Sequence, residues 1–212
     1  MKKVIAINGS PRKNYNTAAL LQEALRGAAD AGAETELIHL FDLDYQGCVS
    51  CFGCKRTATA DAKKCFRTDG LTEVLTKLDD ADVLLLGSPI YFFDVTGAVR
   101  NLVERLCFPR ISYNAGPRTV PAKPMNCGLI FTQNHPADDT FAGTYTAMAN
   151  AMRVLGGKVE QLVAGETYQF DDYSKYACSR FDEAERRRIR DEEFPKRLAE
   201  AYEMGKRLTL GE

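Results

Sequence analysis

The chain has 212 residues, of which 45% are hydrophobic and 27% charged, and its formal net charge is -1. These values suit one globular α/β domain with a substantial core. They argue against nucleic acid as the main partner, because phosphate binding usually requires a basic excess. No stretch approaches the roughly 18 apolar residues of a membrane span, and the first apolar run is too short for a signal peptide. We therefore expect a cytoplasmic protein.

Short apolar runs alternate with helical patterns along the chain. Strands are predicted at 4–7, 35–40, 82–87, 125–131 and 158–164. Helices are predicted at 17–31, 71–78, 96–106, 140–155 and 192–208. Asn16 or Thr17 is the expected N-cap of the first helix. Strands that alternate with helices indicate a parallel sheet with helices on both faces.

Two long segments, 41–70 and 166–191, do not fit a minimal sheet of this kind. Loops of this length are usually functional or interfacial. The run Arg186-Arg187-Arg188 in the second segment is predicted to form a solvated helix face. Since there is no internal repeat and no low-complexity linker, we predict a single domain over 1–212. It carries a cysteine-rich excursion at 41–70 and a C-terminal extension at 166–212.

The segment from residue 9 to residue 17 leaves the first strand and enters the first helix. A helix N-terminus offers free N–H groups and a positive dipole, which favour anion binding. Ser10, Asn16 and Thr17 add side-chain donors, and Arg12 adds a cation. The loop lacks both the P-loop pattern and the G-x-G-x-x-G pattern of dinucleotide folds. It therefore suits a monophosphate, and the alternative is a polar turn before a capped helix.

Two further loops follow the third and fourth strands, at residues 87–94 and 132–136. Ligands of open α/β sheets bind beyond the carboxyl ends of the strands, so the three loops should converge on one cleft. The second loop offers aromatic and apolar surface beside backbone groups made rigid by Pro89, as a flat, partly polar ring requires. The third loop offers polar side chains. His135 there has either a functional role or only local hydrogen bonds.

The motif GSPRKNYNT followed by SPIYF resembles the NADPH-dependent FMN reductase and iron–sulfur flavoprotein group of the flavodoxin-like superfamily. The resemblance covers residues 1–165 in order and spacing. It implies a flavodoxin-like doubly wound five-stranded parallel sheet, in strand order 2-1-3-4-5, with helices on both faces. FMN is the implied cofactor. Tyr15, Phe93 and Asp94 depart from the pattern, because small residues are common at the first two positions and an acid is unusual beside a flavin.

The same resemblance assigns cofactor contacts by position. It implies that the phosphate is bound by Ser10, Arg12, Asn16 and Thr17. It implies that the flavin ring is lined by Ser88, Pro89, Ile90, Tyr91 and Phe92, with Thr132 as a looser match. No catalytic side chain is predicted, because FMN itself carries the chemistry while the protein binds and orients it.

Four of the seven cysteines lie between positions 48 and 65. Cys48, Cys51 and Cys54 form a C-x2-C-x2-C run, and Cys65 follows after an insert of ten residues. Four thiolates are what a cubane iron–sulfur cluster requires. Iron–sulfur flavoproteins, which this segment resembles, hold a [4Fe-4S] centre near FMN, although their fourth cysteine follows more closely. Structural zinc and free thiols in a covering or interfacial loop are the alternatives.

The remaining cysteines, Cys107, Cys127 and Cys178, are scattered along the chain and are interpreted as small apolar fillers. A disulfide framework is not expected in a reducing compartment.

We therefore predict an FMN-dependent oxidoreductase that passes electrons from NAD(P)H through FMN to a small-molecule or protein acceptor. Quinones, nitro or azo compounds, free flavin and redox proteins are candidate acceptors. The first alternative is a non-enzymatic electron-transfer flavoprotein, and the second is a module whose cysteines sense oxidants. We expect a homodimer or homotetramer whose interfaces use the two long excursions. Neither nucleic acid nor a membrane is an expected partner.

Overall fold

A computed structural model describes residues 1–119, 121 and 123–212. Five parallel strands form its sheet: β1 (Lys3–Asn8), β2 (Glu34–His39), β3 (Val83–Tyr91), β5 (Met125–Thr132) and β6 (Gly156–Ala164). They run in the order β2-β1-β3-β5-β6. The short strand β4 (Asp94–Val95) pairs antiparallel with the end of β3. The doubly wound sheet is thus confirmed, with β4 as an addition to the five predicted strands.

The helices cover both faces of this sheet. They are α1 (Asn16–Asp30), α2 (Thr72–Asp80), α3 (Gly97–Cys107), α4 (Ala142–Met152), α5 (Glu183–Glu192) and α6 (Phe194–Leu210). One apolar core joins alternate strand residues such as Ala6 and Leu85 to α1 and α6. The other joins Ile7, Leu86 and Leu129 to α2, α3 and α4. Strand residues alternate between the two cores because successive side chains point to opposite faces. In the described part of the chain, no helix has both the length and the apolar character of a membrane span.

The predicted N-cap of α1 is wrong. Tyr15 occupies the N-cap position and makes no side-chain capping bond, so Asn16 and Thr17 lie inside the first turn. In the C-terminal extension, the helix expected at Arg186-Arg187-Arg188 is α5, which Asp182 caps by accepting hydrogen bonds from the N–H groups of Ala184 and Glu185.

The arginine run of α5 is only partly a solvated face. Arg187 and Arg188 are exposed and paired with glutamates, as predicted. Arg186, in contrast, is 8% exposed, and its Nη2 donates to the carbonyl of Asn134 at 3.1 Å. The tertiary contact draws this side chain inward because the loop after β5 offers it an acceptor.

The excursion at 41–70 is irregular, as predicted. Its only regular elements in the described chain are 3-10 turns at Leu40–Asp42, Gly53–Lys55 and Ala60–Ala62. Its two ends are held against α3, which places the cysteines beside the C-terminal half of that helix.

Candidate functional site

Three loops line one cleft at the carboxyl edge of the sheet, as the strand topology requires. Eight of the predicted cofactor residues line it: Ser10, Arg12, Asn16, Thr17, Pro89, Ile90, Tyr91 and Thr132. Five other residues complete the lining: Tyr15, Gln133, Asn134, Thr167 and Gln169. The convergence of the three loops on one cleft is therefore confirmed.

The loop after β1 is held closely against α3. A Cβ atom on Gly9 would lie 2.1 Å from Cγ2 of Val99 and 2.8 Å from the carbonyl oxygen of Gly87, so a side chain does not fit there. The hydroxyl of Thr96 donates to the carbonyl of Gly9 at 2.8 Å. The backbone N–H of Ser10 donates to Oδ1 of Asn8 at 3.0 Å. These contacts fix the path of the loop into α1.

Two predicted phosphate ligands already use part of their hydrogen-bonding capacity. Nη1 of Arg12 donates to the carbonyl of Gln169 at 2.6 Å, and Nδ2 of Asn16 donates to the carbonyl of Tyr168 at 2.8 Å. The guanidinium of Arg12 also lies 3.3 Å from the centre of the Tyr15 ring. An anion at this end of the cleft would therefore depend on backbone N–H groups and hydroxyls as well as on these side chains.

Hydroxyl groups connect the strands of the cleft to the helices beside them. The Oγ1 atoms of Thr17 and Thr132 lie 2.8 Å apart and are buried. Ser88 is 1% exposed, and its hydroxyl donates to the carbonyl of Pro89 at 2.8 Å. The same hydroxyl accepts from the N–H of Thr96 at 3.1 Å. Ser88 thus joins the end of β3 to Thr96 and does not line the cleft.

Phe92 and Phe93 form the two-residue turn between β3 and β4. Both have positive φ, 47° and 66°, as in a type I′ turn, which normally selects asparagine or glycine. Arg100 holds Asp94 through bonds of 2.9 and 2.7 Å, so this acid faces α3. Thr144 donates to the carbonyl of Phe93. The turn is therefore anchored on both sides, while the Phe92 side chain is fully exposed and lies outside the cleft.

Replacing Phe92 by glycine is expected to make the protein about 1 kcal/mol more stable than replacing it by alanine. Both changes remove the same exposed ring, but only alanine keeps the Cβ atom that makes positive φ costly. Urea unfolding of the two variants measures the difference. Equal stabilities would show that the turn stores no backbone strain.

The four clustered cysteines share a second pocket. Cys48, Cys51, Cys54 and Cys65 line it together with Phe52, Phe66, Phe108 and Arg105, among others. The chain takes left-handed conformations at Ser50 and Phe52, with φ of 52° and 54°, and so curls between the cysteines. Burial raises the pKa of the Cys54 thiol. Within 1–119, 121 and 123–212, no three His, Cys, Asp or Glu side chains form a group that could hold a metal ion.

Helix α3 clamps both ends of the cysteine excursion. Oε2 of Glu104 accepts from the N–H of Cys48 at 3.0 Å. Arg105, whose side chain is 0% exposed, donates to the carbonyl of Arg67 at 2.9 Å and to Asp69 at 2.5 Å. Its Nε is buried and has no hydrogen-bond partner among the described residues. A buried cation therefore lies at the wall of the thiol pocket.

The other cysteines behave differently. Cys107 and Cys127 are buried, which confirms them as apolar fillers. Burial raises the pKa of Cys107 to about 12, so its thiol stays protonated near neutral pH. Cys178 is half-buried. His135 is exposed and packs edge-to-face on Phe141, with ring centres 5.5 Å apart.

Thr167 and Gln169 are cleft residues that sequence reasoning missed. They follow β6, the last strand, and Thr167 is held by two bonds to the carbonyl of Gln133, at 3.0 and 3.1 Å. The rule that ligands bind beyond the carboxyl ends of strands applies to β6 as well. It offered a signal for these two positions.

The model of the NADPH-dependent FMN reductase family matches residues 2–135. This chain belongs to that family. The match includes the loops after β1, β3 and β5, which are the three that the cleft brings together. It ends before Thr167 and the C-terminal helices.

Iron-sulfur flavoproteins of two archaea are similar to this family member. The chain is 42% identical over 103 residues to one from Methanocaldococcus jannaschii, across 49% of this chain and 51% of that protein. It is 39% identical over 103 residues to one from Archaeoglobus fulgidus, across 49% and 48%. The chain therefore spans about half the length of the curated relatives it matches.

Solved structures share the fold over nearly the whole chain. An azoreductase from Bacillus anthracis superposes with a TM-score of 0.67 at 13% identity, covering 98% of this chain and 100% of the other. An NAD(P)H:quinone oxidoreductase from Methanothermobacter marburgensis gives 0.60 at 14% identity, covering 97% and 95%. At these identities the likeness establishes the fold of this FMN reductase family member.

Proposed function

We propose that this chain is an oxidoreductase that passes electrons from NAD(P)H through bound FMN to a small-molecule or protein acceptor. The observation that carries the proposal is the convergence of the three loops of the family match on one cleft. Their chemistry is divided along the cleft, with polar groups at the start of α1 and apolar groups at the end of β3. A phosphorylated flavin has the same division.

The chain's own residues bind and orient the cofactor. The hydroxyls of Ser10 and Thr17 and the first N–H groups of α1 would hold the phosphate, because a helix N-terminus stabilises an anion. Arg12 and Asn16 would complete this end. Pro89, Ile90 and Tyr91 would line the ring, with Thr132 beside it, while Ser88 keeps their backbone in place. FMN, when bound, supplies hydride acceptance and single-electron release.

We also propose that the cysteine pocket binds a [4Fe-4S] cluster. A cubane cluster takes one cysteine at each of its four corners, which suits four thiols that line one pocket. Zinc held by the same four thiolates is the alternative. The names of the archaeal relatives support the same assignment.

A visible spectrum with iron and sulfide analysis, on protein purified without oxygen, tests both proposals. We expect two flavin bands and broad cluster absorbance. Cys48→Ala should abolish the cluster absorbance and leave the flavin bands, because it removes one of four ligands. Cys178→Ala, outside the pocket, should change neither.

The possible results separate the functions. Flavin bands without iron would remove the cluster and leave an FMN reductase with a thiol-rich loop. Absence of flavin bands would contradict the proposed function itself. Steady-state oxidation of NAD(P)H by the flavin-loaded protein then distinguishes an enzyme from an electron carrier, which would show no turnover. The acceptor, and assembly as a homodimer or homotetramer, stay predictions.

A further inference from the structure

The C-terminal extension contacts the candidate phosphate loop, although it lies outside the matched residues 2–135. Arg12 and Asn16 donate to the carbonyls of Gln169 and Tyr168. On its other side, Asn16 accepts through Oδ1 from Nη1 of Arg190 in α5, at 2.9 Å. Asn16 is 7% exposed, so this junction is largely shielded from water.

Arg190 differs from the other arginines of α5. Arg186, Arg187 and Arg188 each form an ion pair with a glutamate, at 3.4, 3.0 and 2.8 Å. Arg190 has no carboxylate within 4.0 Å among the described residues, and its guanidinium lies 4.4 Å from the ring centre of Phe194. Its charge is half-buried and unpaired beside the loop where an anion is expected.

The hydrogen bond from Arg190 also fixes the orientation of an amide. A guanidinium only donates, so the atom of Asn16 that faces it must be the oxygen. The NH2 group of Asn16 is then on the other side. One of its two N–H groups goes to Tyr168, and the second is left for an acceptor in the cleft. Without Arg190, the bond to the Tyr168 carbonyl alone holds the amide in this orientation, and the amide oxygen has lost its donor.

We propose that Arg190 is a positioning residue for the phosphate end of this site and makes it select a phosphorylated flavin over an unphosphorylated one. It acts by holding the amide of Asn16 as a donor and by placing positive charge behind the loop. This inference rests on the proposed function, since it concerns the same cofactor site.

Fluorescence titration with FMN and, in parallel, with riboflavin tests the inference on the full chain. For Arg190→Ala we expect the Kd for FMN to rise about ten-fold, the scale of one charge-assisted interaction, while the Kd for riboflavin is unchanged. Arg190→Lys keeps the charge but not the planar guanidinium with its several N–H donors, and should give an intermediate Kd for FMN. Arg188→Ala is the matched control on the same helix and should leave both values as in the wild type.

If Arg190 had only a structural role, its loss would not weaken the binding of FMN while leaving the binding of riboflavin unchanged. If Arg190→Ala weakened both flavins equally, or neither, the inference would be overturned. If that variant failed to fold, Arg190→Lys would decide alone, and an unchanged ratio of the two Kd values would overturn the inference. A wild-type chain that bound neither flavin would overturn the proposed function, whereas wild-type FMN binding with an unchanged ratio in the variants overturns only the role of Arg190.

Discussion

Replacing Arg105 by methionine should lower the free energy of unfolding by about 3 kcal/mol, the lower end of the usual cost of removing one partner of a buried ion pair, because Arg67 still pairs with Asp69. The Arg105 side chain is 0% exposed and that of Asp69 is 15% exposed. The change removes the buried cation of Asp69 and leaves Arg67, at 3.2 Å, as its remaining ion-pair partner. It also removes the Arg105 donor from the carbonyls of Gln46 and Arg67. Since these groups hold the ends of the cysteine excursion, thiol reactivity of Cys48 and Cys65 should also increase.

Arg100→Met provides a matched control on the same helix. Arg100 also holds an aspartate through two hydrogen bonds, but its side chain is 37% exposed and that of Asp94 is 41% exposed. Solvent screening limits such a pair to about 1 kcal/mol or less. Urea unfolding of both variants measures the contrast. If both variants lost the same free energy of unfolding, burial of Arg105 would not determine how much it contributes to stability.

The same pair gives a pH dependence. Burial alone would raise the pKa of Asp69, but its hydrogen bond and charge attraction to Arg105, together with hydrogen bonds from the N–H groups of Leu71 and Gln46, lower the pKa. A carboxyl with a lower pKa in the folded state contributes stability above its unfolded pKa. It loses that contribution as the pH falls through the folded pKa. The acid side of the stability profile should therefore be flatter in Arg105→Met than in the wild type.

Replacing Gly205 by alanine should destabilise the protein by about 3 kcal/mol, the upper end of the usual cost of overpacking. A Cβ atom there would lie 1.9 Å from the carbonyl oxygen of Ala24, and one on Gly27 would lie 2.0 Å from that of Tyr202. The clashing atoms are backbone, so α1 and α6 would have to move apart. The sign of the change in stability is informative, because alanine normally stabilises a helix relative to glycine by about 0.5–1 kcal/mol.

Gly143→Ala in α4 is the control for this prediction. A Cβ atom at Gly143 meets nothing within 4 Å, so this variant should be as stable as the wild type or slightly more stable. Thermal unfolding of the two variants compares them directly. A Gly205→Ala variant that matched Gly143→Ala would show that the two helices are not packed at backbone contact.

The sequence by itself determined the sheet and the place of the cleft. Apolar runs such as Val83–Leu86 were identified from the sequence as buried strands, and the structure buries them. A continuous apolar run is a local pattern, so it can be recognised without knowing which strand pairs with it. The convergence of the loops after β1, β3 and β5 followed from topology, since parallel strands bring their carboxyl ends to one edge. The grouping of the four cysteines followed from their spacing in one excursion.

Only the tertiary structure decided which polar groups face the cleft. Ser88 is the first residue of the SPIYF motif and was expected to line the flavin, yet its hydroxyl joins β3 to Thr96. Asn16 was expected to cap a helix or bind an anion, but it lies inside the first turn of α1 and bonds to Tyr168 and Arg190, which are 152 and 174 residues away. In the sequence, Arg105 is one more charged residue in a helical pattern. In the structure its side chain is buried and holds the end of the cysteine excursion through Arg67 and Asp69. Hydrogen-bond partners at such separations leave no periodic trace, because they depend on how packed elements and long loops meet in space rather than on local backbone preference.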